Sequence, residues 1–256
     1  MIARAFITGS ADGLGLELGR RLQAAGYEVV LHGRSEQRAR DAQAAVPGAL
    51  ALSGDLASIG QTVDLAERAN ANGAFDVVVH NAAVGYRERR WLTEDGLEHV
   101  FAVNVLAPYL LTALMRPPAR LIYLTSGLHR QGSPQLDDLA WEQRRWSGMQ
   151  AYSDSKLLDV VLAFAVARRW PQVRSNAVEP GWIATRMGGA GAPGTLAQGV
   201  DTQFWLATSD EPATGRVFES RRPTRPHPAA ADHSVQDQLL ETCAAMSGVS
   251  LPDSGP

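Results

Sequence analysis

Short apolar runs alternate with longer amphipathic segments along most of this chain. The runs are rich in Val, Ile, Leu and Ala, without the polar–apolar alternation of strands that face water on one side. They occupy residues 5–8, 27–32, 49–53, 75–80, 121–125, 175–178 and 217–219. Between them, apolar residues recur at helical spacing, at residues 14–25, 61–72, 96–115, 151–170 and 196–207. Strands that alternate with helices predict crossover units around a parallel sheet.

This order predicts the α/β fold class, with a doubly wound parallel sheet of about seven strands and helices on both faces. We expect a single domain. Residues 1–220 would form its body, including a substrate loop at residues 182–200, and residues 221–256 a C-terminal connector and docking helix. Clustered glycines predict a mobile loop at residues 188–194. Three prolines and three arginines predict an irregular connector at residues 221–228, before a final helix at residues 235–246.

The composition excludes several classes of protein. Apolar residues make up 45% of the chain and charged residues 20%, as in globular proteins, and the net charge of -3 indicates no general affinity for nucleic acid or anionic membranes. A single cysteine, Cys243, excludes an internal disulfide framework, and the histidines lack metal-ligand spacing, so no metal is expected. The sequence has no signal-peptide pattern and no run of about 18 apolar residues, so we expect a cytoplasmic protein without a membrane span.

A glycine-rich turn separates the first predicted strand from the first predicted helix. Its glycines are Gly9, Gly13 and Gly15, in the spacing Gly-x3-Gly-x-Gly. Such a turn brings the backbone and the helix N-terminus close to a pyrophosphate. An ordinary strand–helix turn is the alternative, but the position between first strand and first helix favours a nucleotide site. The predicted contacts are Gly9, Ser10, Asp12, Gly13, Leu14 and Gly15.

A tyrosine and a lysine four residues apart begin a strongly apolar helical segment. Tyr152 and Lys156 would project from the same helix face. An ordinary tyrosine has a pKa of about 10 and is a poor base near neutrality, but a neighbouring ammonium favours the phenolate. Ser126 ends the strand at residues 121–125, where its hydroxyl is placed to hold a substrate oxygen. Alone, such a pair is usually unremarkable; together with the glycine turn it predicts an acid/base centre.

In these motifs the sequence resembles the classical short-chain dehydrogenase/reductase family, over residues 2–218. Residues 8–15 are similar to the family's Thr-Gly-x3-Gly-x-Gly turn, and Ser126, Tyr152 and Lys156 to its catalytic residues. Asn104 resembles the helix asparagine that completes the catalytic set and supports a proton-relay water. The resemblance implies a Rossmann-like fold, hydride exchange between a nicotinamide cofactor and an alcohol or carbonyl, and binding of the nicotinamide ribose by Lys156.

The resemblance also implies further cofactor contacts. They are Asp55 and Leu56 at the adenine ring, Asn81, Ala82 and Ala83 at the adenosine ribose, and Pro180, Gly181, Ile183 and Thr185 at the nicotinamide carboxamide. The sequence departs from the family where His80 and Ala83 stand in the usual Asn-Asn-Ala-Gly stretch. His80 replaces a residue that helps tie the central strands together, and Ala83 replaces a glycine beside the cofactor channel, so these departures bear on cofactor fit. Residues 126–129, 137–139 and 152–157 look most like the retinol dehydrogenase-like branch, which does not make retinol the substrate.

The end of the second strand bears on the choice between NADP and NAD. An acidic residue there would bind a ribose 2′-hydroxyl, whereas an arginine accommodates a 2′-phosphate. Arg34 follows that strand, with Arg38 nearby, and favours NADP. Asp12, where NADP-using members often carry a basic residue, and Glu36 favour NAD. We predict NADP(H) over NAD(H).

Substrate identity lies beyond the sequence, because variable loops shape the pocket and fold alone does not determine substrate. Candidate pocket residues are Gly127, His129 and Trp182. The resemblance implies a homodimer or homotetramer formed through the helices at residues 96–115 and 151–170.

Two rival functions use similar parts. A non-catalytic sensor or interaction protein would keep the cofactor turn, but the complete set of Asn104, Ser126, Tyr152 and Lys156 favours an enzyme. A sugar-nucleotide epimerase or dehydratase would resemble a Gly-x-x-Gly-x-x-Gly turn with a longer C-terminal substrate region, and this sequence has neither.

Overall fold

An eight-stranded sheet forms the centre of the computed structural model, which describes residues 2–253. The strand order is β3-β2-β1-β4-β5-β6-β7-β8, and neighbouring strands are parallel except for the antiparallel pair β7 and β8. The strands are β1 Arg4–Ile7, β2 Glu28–Gly33, β3 Leu50–Ser53, β4 Val77–His80, β5 Arg120–Leu124, β6 Arg174–Val178, β7 Val217–Glu219 and β8 Arg222–Thr224. The predicted doubly wound parallel sheet is confirmed, with one strand more than expected.

Helices cover both faces of this sheet. They are α1 Gly13–Ala24, α2 Glu36–Ala45, α3 Ile59–Ala71, α4 His99–Phe101, α5 Ala107–Leu114, α6 Gly148–Arg169, α7 Leu196–Thr208 and α8 His233–Ser247. One apolar core joins α1, α2 and α7 to the sheet, and a larger one joins α3, α5, α6 and α8 to its other face. The buried strands read as continuous apolar runs because helices cover them on both sides.

The segment after β7 departs from the sequence prediction. The connector expected at residues 221–228 contains β8, which turns back on β7 through Ser220 and Arg221, both with positive φ. The expected final helix is α8, and it packs on α6. Residues 188–194 form turns, and Gly194 makes a parallel bridge to Ile183.

The helix expected at residues 96–115 is interrupted. Gly96 has a φ of 75° and lies before the helix, which begins at α4 under the cap of Glu98. A π-helical turn at Ala102–Leu106 then joins α4 to α5. Single π-helical turns inside helices are frequent at functional sites, and this one contains Asn104.

The C-terminal segment covers α5 and α6, the helices expected to form a subunit interface. Leu239, Leu240 and Cys243 of α8 belong to the same buried core as α6. The Tyr109 hydroxyl donates to the Val249 carbonyl at 2.7 Å. The C-terminal segment therefore packs against part of both α5 and α6.

Candidate active site

The glycine turn connects β1 to α1 and leaves the helix N-terminus open. Gly9 and Gly13 have φ values of 59° and 55°, which favour glycine. A Cβ on Gly9 would lie 2.7 Å from the Ala82 Cα, so the turn packs directly on the chain after β4. Asp12 begins α1 without a side-chain cap hydrogen bond. The first N–H groups of α1 are therefore available to an anion.

His32, the penultimate residue of β2, holds the glycine turn in place. Its Nδ1 accepts a hydrogen bond from the Gly9 N–H at 2.9 Å, and its Nε2 lies 2.8 Å from the Gly54 carbonyl oxygen. These contacts fit the neutral tautomer with the proton on Nε2, because Nδ1 must accept. Burial lowers the pKa of His32 to about 4, which keeps the ring neutral. The sequence alone does not indicate His32, because its partners lie far away along the chain.

Asn81 also ties the glycine turn to β4. Its Nδ2 donates to the carbonyl oxygens of Thr8 and Gly9, at 2.9 Å and 3.0 Å. The Thr8 hydroxyl in turn accepts the N–H groups of Asn81 and Ala82, each at 3.0 Å. The Asn81 side chain therefore holds the glycine turn against the chain that follows β4.

Charged residues surround the end of β2. Arg38 forms an ion pair with Asp12, so the acidic group that favoured NAD is partly neutralised. Arg34 is exposed and takes part in no ion pair among residues 2–253. Nearby, the Asp55 carboxylate accepts the Ala57 N–H at 3.0 Å in a local turn after β3.

The end of β5 and the first half of α6 bring the predicted catalytic residues together. The Lys156 ammonium donates to the Leu124 carbonyl at 2.8 Å, and the Thr125 hydroxyl donates to the Lys156 carbonyl at 2.7 Å. Ser126 follows Thr125 directly. The Lys156 Nζ lies 5.8 Å from the centre of the Tyr152 ring. These contacts join the strand end that carries Ser126 to the helix face that carries Tyr152 and Lys156.

The Tyr152 and Ser126 hydroxyls are available for a ligand. Tyr152 is 7% exposed and meets the Tyr86 ring edge-on at 6.1 Å. Within residues 2–253 its hydroxyl makes no hydrogen bond, whereas the Ser126 Oγ accepts the Leu128 N–H at 3.3 Å. That contact leaves the Ser126 hydroxyl proton free to donate. Tyr86 carried no motif and was not predicted.

Asn104 sits at the base of this arrangement, in the π-helical turn. Its Oδ1 accepts the Val84 N–H at 2.8 Å, and its Nδ2 donates to the Val84 carbonyl at 3.1 Å and to the Ser155 hydroxyl at 2.9 Å. The Ser155 hydroxyl donates in turn to the Tyr152 carbonyl at 2.8 Å. The side chain of Asn104 therefore links the loop after β4 to the start of α6.

Asp159 is a buried acid that the motif search missed. Its Oδ2 lies 2.8 Å from the Lys156 Nζ, and both side chains are at most 4% exposed. Burial raises the pKa of Asp159 to about 6, and the neighbouring ammonium opposes that rise. The sequence does carry one signal for this pair, because Lys156 and Asp159 are three residues apart and such residues share a helix face.

The chain after β6 closes the other side of the site. Gly181 has a φ of 83°, and Ile183 is buried. A Cβ on Gly13 would lie 3.8 Å from the Thr185 Cγ2, so this segment lies beside the glycine turn. The segments predicted to hold the pyrophosphate and the nicotinamide carboxamide thus lie side by side.

A cavity of about 360 Å³ lies beside Pro180 and Gly181. Three carboxylates line it, those of Glu179, Asp201 and Glu219. It lies at the carboxyl ends of β6 and β7, the edge where ligands bind in open α/β sheets.

The three candidate pocket residues have different surroundings. A Cβ on Gly127 would lie 2.3 Å from the Glu179 Oε1, so a larger residue there would displace the Glu179 carboxylate. His129 is fully buried, and its Nδ1 lies 2.7 Å from the Ser126 carbonyl oxygen. Trp182 is 60% exposed and donates through Nε1 to the Gly188 carbonyl at 3.0 Å. Of the three, Trp182 has the side chain that an incoming ligand can reach. His129 instead contacts the backbone of Ser126 from a buried position.

The described residues, 2–253, form neither a metal-binding cluster nor a membrane-spanning helix. Among residues 2–253, no group of three or more His, Cys, Asp and Glu side chains is placed to hold a metal ion. No helix in the same range has the length and apolarity needed to cross a membrane.

Comparison with known proteins extends the resemblance over the chain. A family model described as enoyl-(acyl carrier protein) reductase matches residues 9–206. An uncharacterized oxidoreductase of Emericella nidulans is 42% identical, covering 98% of this chain and 99% of the relative. The short-chain dehydrogenase chyC of Penicillium rubens is 38% identical, with coverage of 98% and 100%.

More distant relatives agree with these matches. Mouse retinol dehydrogenase 13 is 29% identical and covers 98% of this chain and 85% of its own length. The crystal structure of an uncharacterized Mycobacterium paratuberculosis protein superposes with a TM-score of 0.86 at 24% identity, covering 98% of this chain and 95% of that one. The structural match supports the fold.

Proposed function

This chain belongs to the short-chain dehydrogenase/reductase family, and we propose that it transfers a hydride between a nicotinamide cofactor and an alcohol or carbonyl substrate. The observation that carries the proposal is the junction of β5 and α6. There the buried Lys156 ammonium donates to the Leu124 carbonyl near the strand end that carries Ser126, and it lies 5.8 Å from the centre of the Tyr152 ring. That combination suits removal or addition of a proton at a substrate oxygen.

The protein's own residues would manage the proton and the substrate oxygen. In oxidation, the Tyr152 phenolate accepts the alcohol proton as the carbon loses a hydride and the carbonyl bond forms; in reduction, the phenol donates that proton. The Ser126 hydroxyl donates a hydrogen bond to the substrate oxygen. Lys156 stabilises the phenolate through its positive charge. Asn104 holds the π-helical turn against α6 and supports a relay of protons to solvent.

The cleft fits a nicotinamide dinucleotide. The uncapped N-terminus of α1 and the glycine turn suit a pyrophosphate, and the segment that contains Thr185 lies beside that turn. The remaining contacts are proposed at Ser10, Leu14 and Gly15 in the turn, at Leu56, Ala82 and Ala83 near the adenosine, and at Ile183 near the carboxamide. When bound, the nicotinamide ring supplies or accepts the hydride.

NADP(H) is the proposed cofactor because Arg34 is exposed at the end of β2 while Asp12 is paired with Arg38. Arg34→Ala should raise the dissociation constant of NADPH about tenfold or more, the effect of losing one charge-assisted contact, and leave that of NADH within about twofold. Arg40→Ala is the matched control, since Arg40 is an exposed arginine of α2 paired with Glu36. Equal losses for both cofactors would contradict the 2′-phosphate role.

The test of the reaction is Tyr152→Phe, assayed with NADPH and a panel of phenanthrenequinone, benzaldehyde and retinal. Turnover by Tyr152→Phe should be at least about a hundredfold lower than that of the wild type, which is the lower end of the loss expected when an acid/base group is removed. NADPH binding should be retained. Tyr27→Phe is the matched control, because the Tyr27 hydroxyl bonds the Ala207 carbonyl away from the cleft. Full turnover by Tyr152→Phe would refute the mechanism. NADPH binding without turnover of any panel member would favour the sensor or interaction protein.

A homodimer or homotetramer remains the proposed assembly. Light scattering on the purified protein measures it, and a monomer at every concentration would refute it.

A further inference from the structure

Asp159 and Lys156 form a buried ion pair beneath the proposed proton-transfer site. Their charged atoms are 2.8 Å apart, and the two side chains are 4% and 3% exposed. A lysine is almost never this buried without a charged partner. None of the roles described for Ser126, Tyr152, Lys156 and Asn104 uses Asp159.

We propose that Asp159 is a positioning residue that holds the Lys156 ammonium in place, and in its charged form, for action on Tyr152. The inference rests on the proposed oxidoreductase function and adds a residue to its machinery.

Hydrogen-bond counting supports the assignment. An ammonium has three N–H donors. The Leu124 carbonyl takes one of these donors and the Asp159 carboxylate a second, which leaves one donor free for a further partner. The Lys156 carbonyl also accepts the Thr125 hydroxyl, so the backbone of the same residue is fixed. With both anchors present, the ammonium has little freedom to turn away.

Charge balance points the same way. A buried lysine without a counter-ion tends to lose its proton, because a low-dielectric environment disfavours the charged form. A neutral amine would no longer favour the phenolate of Tyr152. The carboxylate of Asp159 supplies a counter-charge to the Lys156 ammonium in this buried position.

A second carboxylate on α6 provides a matched comparison. Asp154 has an 8% exposed side chain and is paired with Arg144 at 2.9 Å. It also accepts the Ser133 N–H at 2.8 Å and has no contact with Lys156. Asp154→Asn removes a buried carboxylate from the same helix without touching the lysine.

The test is a double-mutant cycle with Asp159→Asn, Lys156→Met and the double variant, using NADPH and the panel member that the wild-type protein reduces fastest. Asp159→Asn should lower turnover about tenfold or more, a part of the contribution of the acid/base group it supports. In the Lys156→Met background the same change should alter turnover by less than about twofold, because the two residues act as one unit. Asp159→Glu, which moves the charge by one methylene, should lose less than Asp159→Asn. Asp154→Asn should stay within about threefold of the wild type.

The outcomes separate the two proposals. Wild-type turnover by Asp159→Asn, or the same loss in both backgrounds, would overturn the positioning role while Tyr152→Phe remains inactive. A higher turnover by Asp159→Asn than by Asp159→Glu would also overturn the positioning role. This comparison can be made even if Lys156→Met fails to fold. Full turnover by Tyr152→Phe would instead refute the proposed function itself.

Discussion

Replacing His80 by asparagine should make the protein less sensitive to acid. His80 ends β4 and is 3% exposed, with its Nε2 3.1 Å from the Thr112 hydroxyl and its ring 4.7 Å from that of Tyr123. Its Nδ1 is buried and has no hydrogen-bond partner among residues 2–253. Burial lowers the pKa of His80 from 6.5 to about 3.

The sign and size of the effect follow from proton linkage. As the pH falls below 6.5, the unfolded chain binds a proton at this residue, whereas the folded chain does so only near pH 3. The stability contributed by the neutral, buried ring is therefore present above pH 6.5 and is lost progressively as the pH falls. Between about pH 7 and about pH 5 the loss is about 2 kcal/mol, set almost entirely by the pKa in the unfolded state. Against a total of about 5–15 kcal/mol for a folded domain, that loss is easily measured.

Urea unfolding followed by tryptophan fluorescence at the two pH values measures the difference. The wild type should lose about 2 kcal/mol more than His80→Asn on going from about pH 7 to about pH 5. His32 has a similarly lowered pKa and Asp159 a raised one with the opposite effect, but both are present in both proteins and cancel in the comparison. His233→Asn, at an exposed histidine of α8, is the control. Equal acid sensitivity of the wild type and His80→Asn would refute the assignment of a neutral, buried ring.

Two further changes test the cofactor turn and the C-terminal segment. Gly9→Ala should weaken NADPH binding about tenfold or more in a fluorescence titration, because a Cβ there meets the Ala82 Cα at 2.7 Å and φ is positive. Gly60 is a helical position with room for a methyl group, so Gly60→Ala should instead raise the free energy of unfolding by about 0.5–1 kcal/mol. Deletion of residues 228–256 should lower the thermal unfolding midpoint by at least about 10 °C, because the apolar side chains of α8 leave the face of α6. An unchanged midpoint and an unchanged mass by light scattering would contradict the covering role of the segment.

The sequence predicts seven of the eight strands because buried parallel strands read as apolar runs. Strand β8 escapes prediction because it has three residues, includes Pro223 and lies at the sheet edge. Helix α2 carried no amphipathic signal, since only Ala39 and Ala42 among its residues are buried. Local spacing is thus sufficient for long, buried elements and insufficient for short or polar ones.

The site divides in the same way. Motif spacing brings Tyr152 and Lys156 to one helix face, and the structure places them so. The contacts of His32 could not be predicted, because they join three separate strand ends that only the folded sheet brings together. The spacing of Asp159 and Lys156 in the sequence predicts that they share a helix face. That both side chains are buried is visible only in the folded structure.

The π-helical turn at Ala102–Leu106 constrains the length of the chain as well as its residues. Such a turn holds one residue more than an α-helical turn. Deleting that residue would rotate everything beyond it by about 100° about the helix axis. Tyr109 would then turn away from Val249, and Thr112 from His80. Insertions and deletions among relatives should therefore be tolerated in the loops at residues 85–98 and 132–147, and be absent between Asn104 and Thr112.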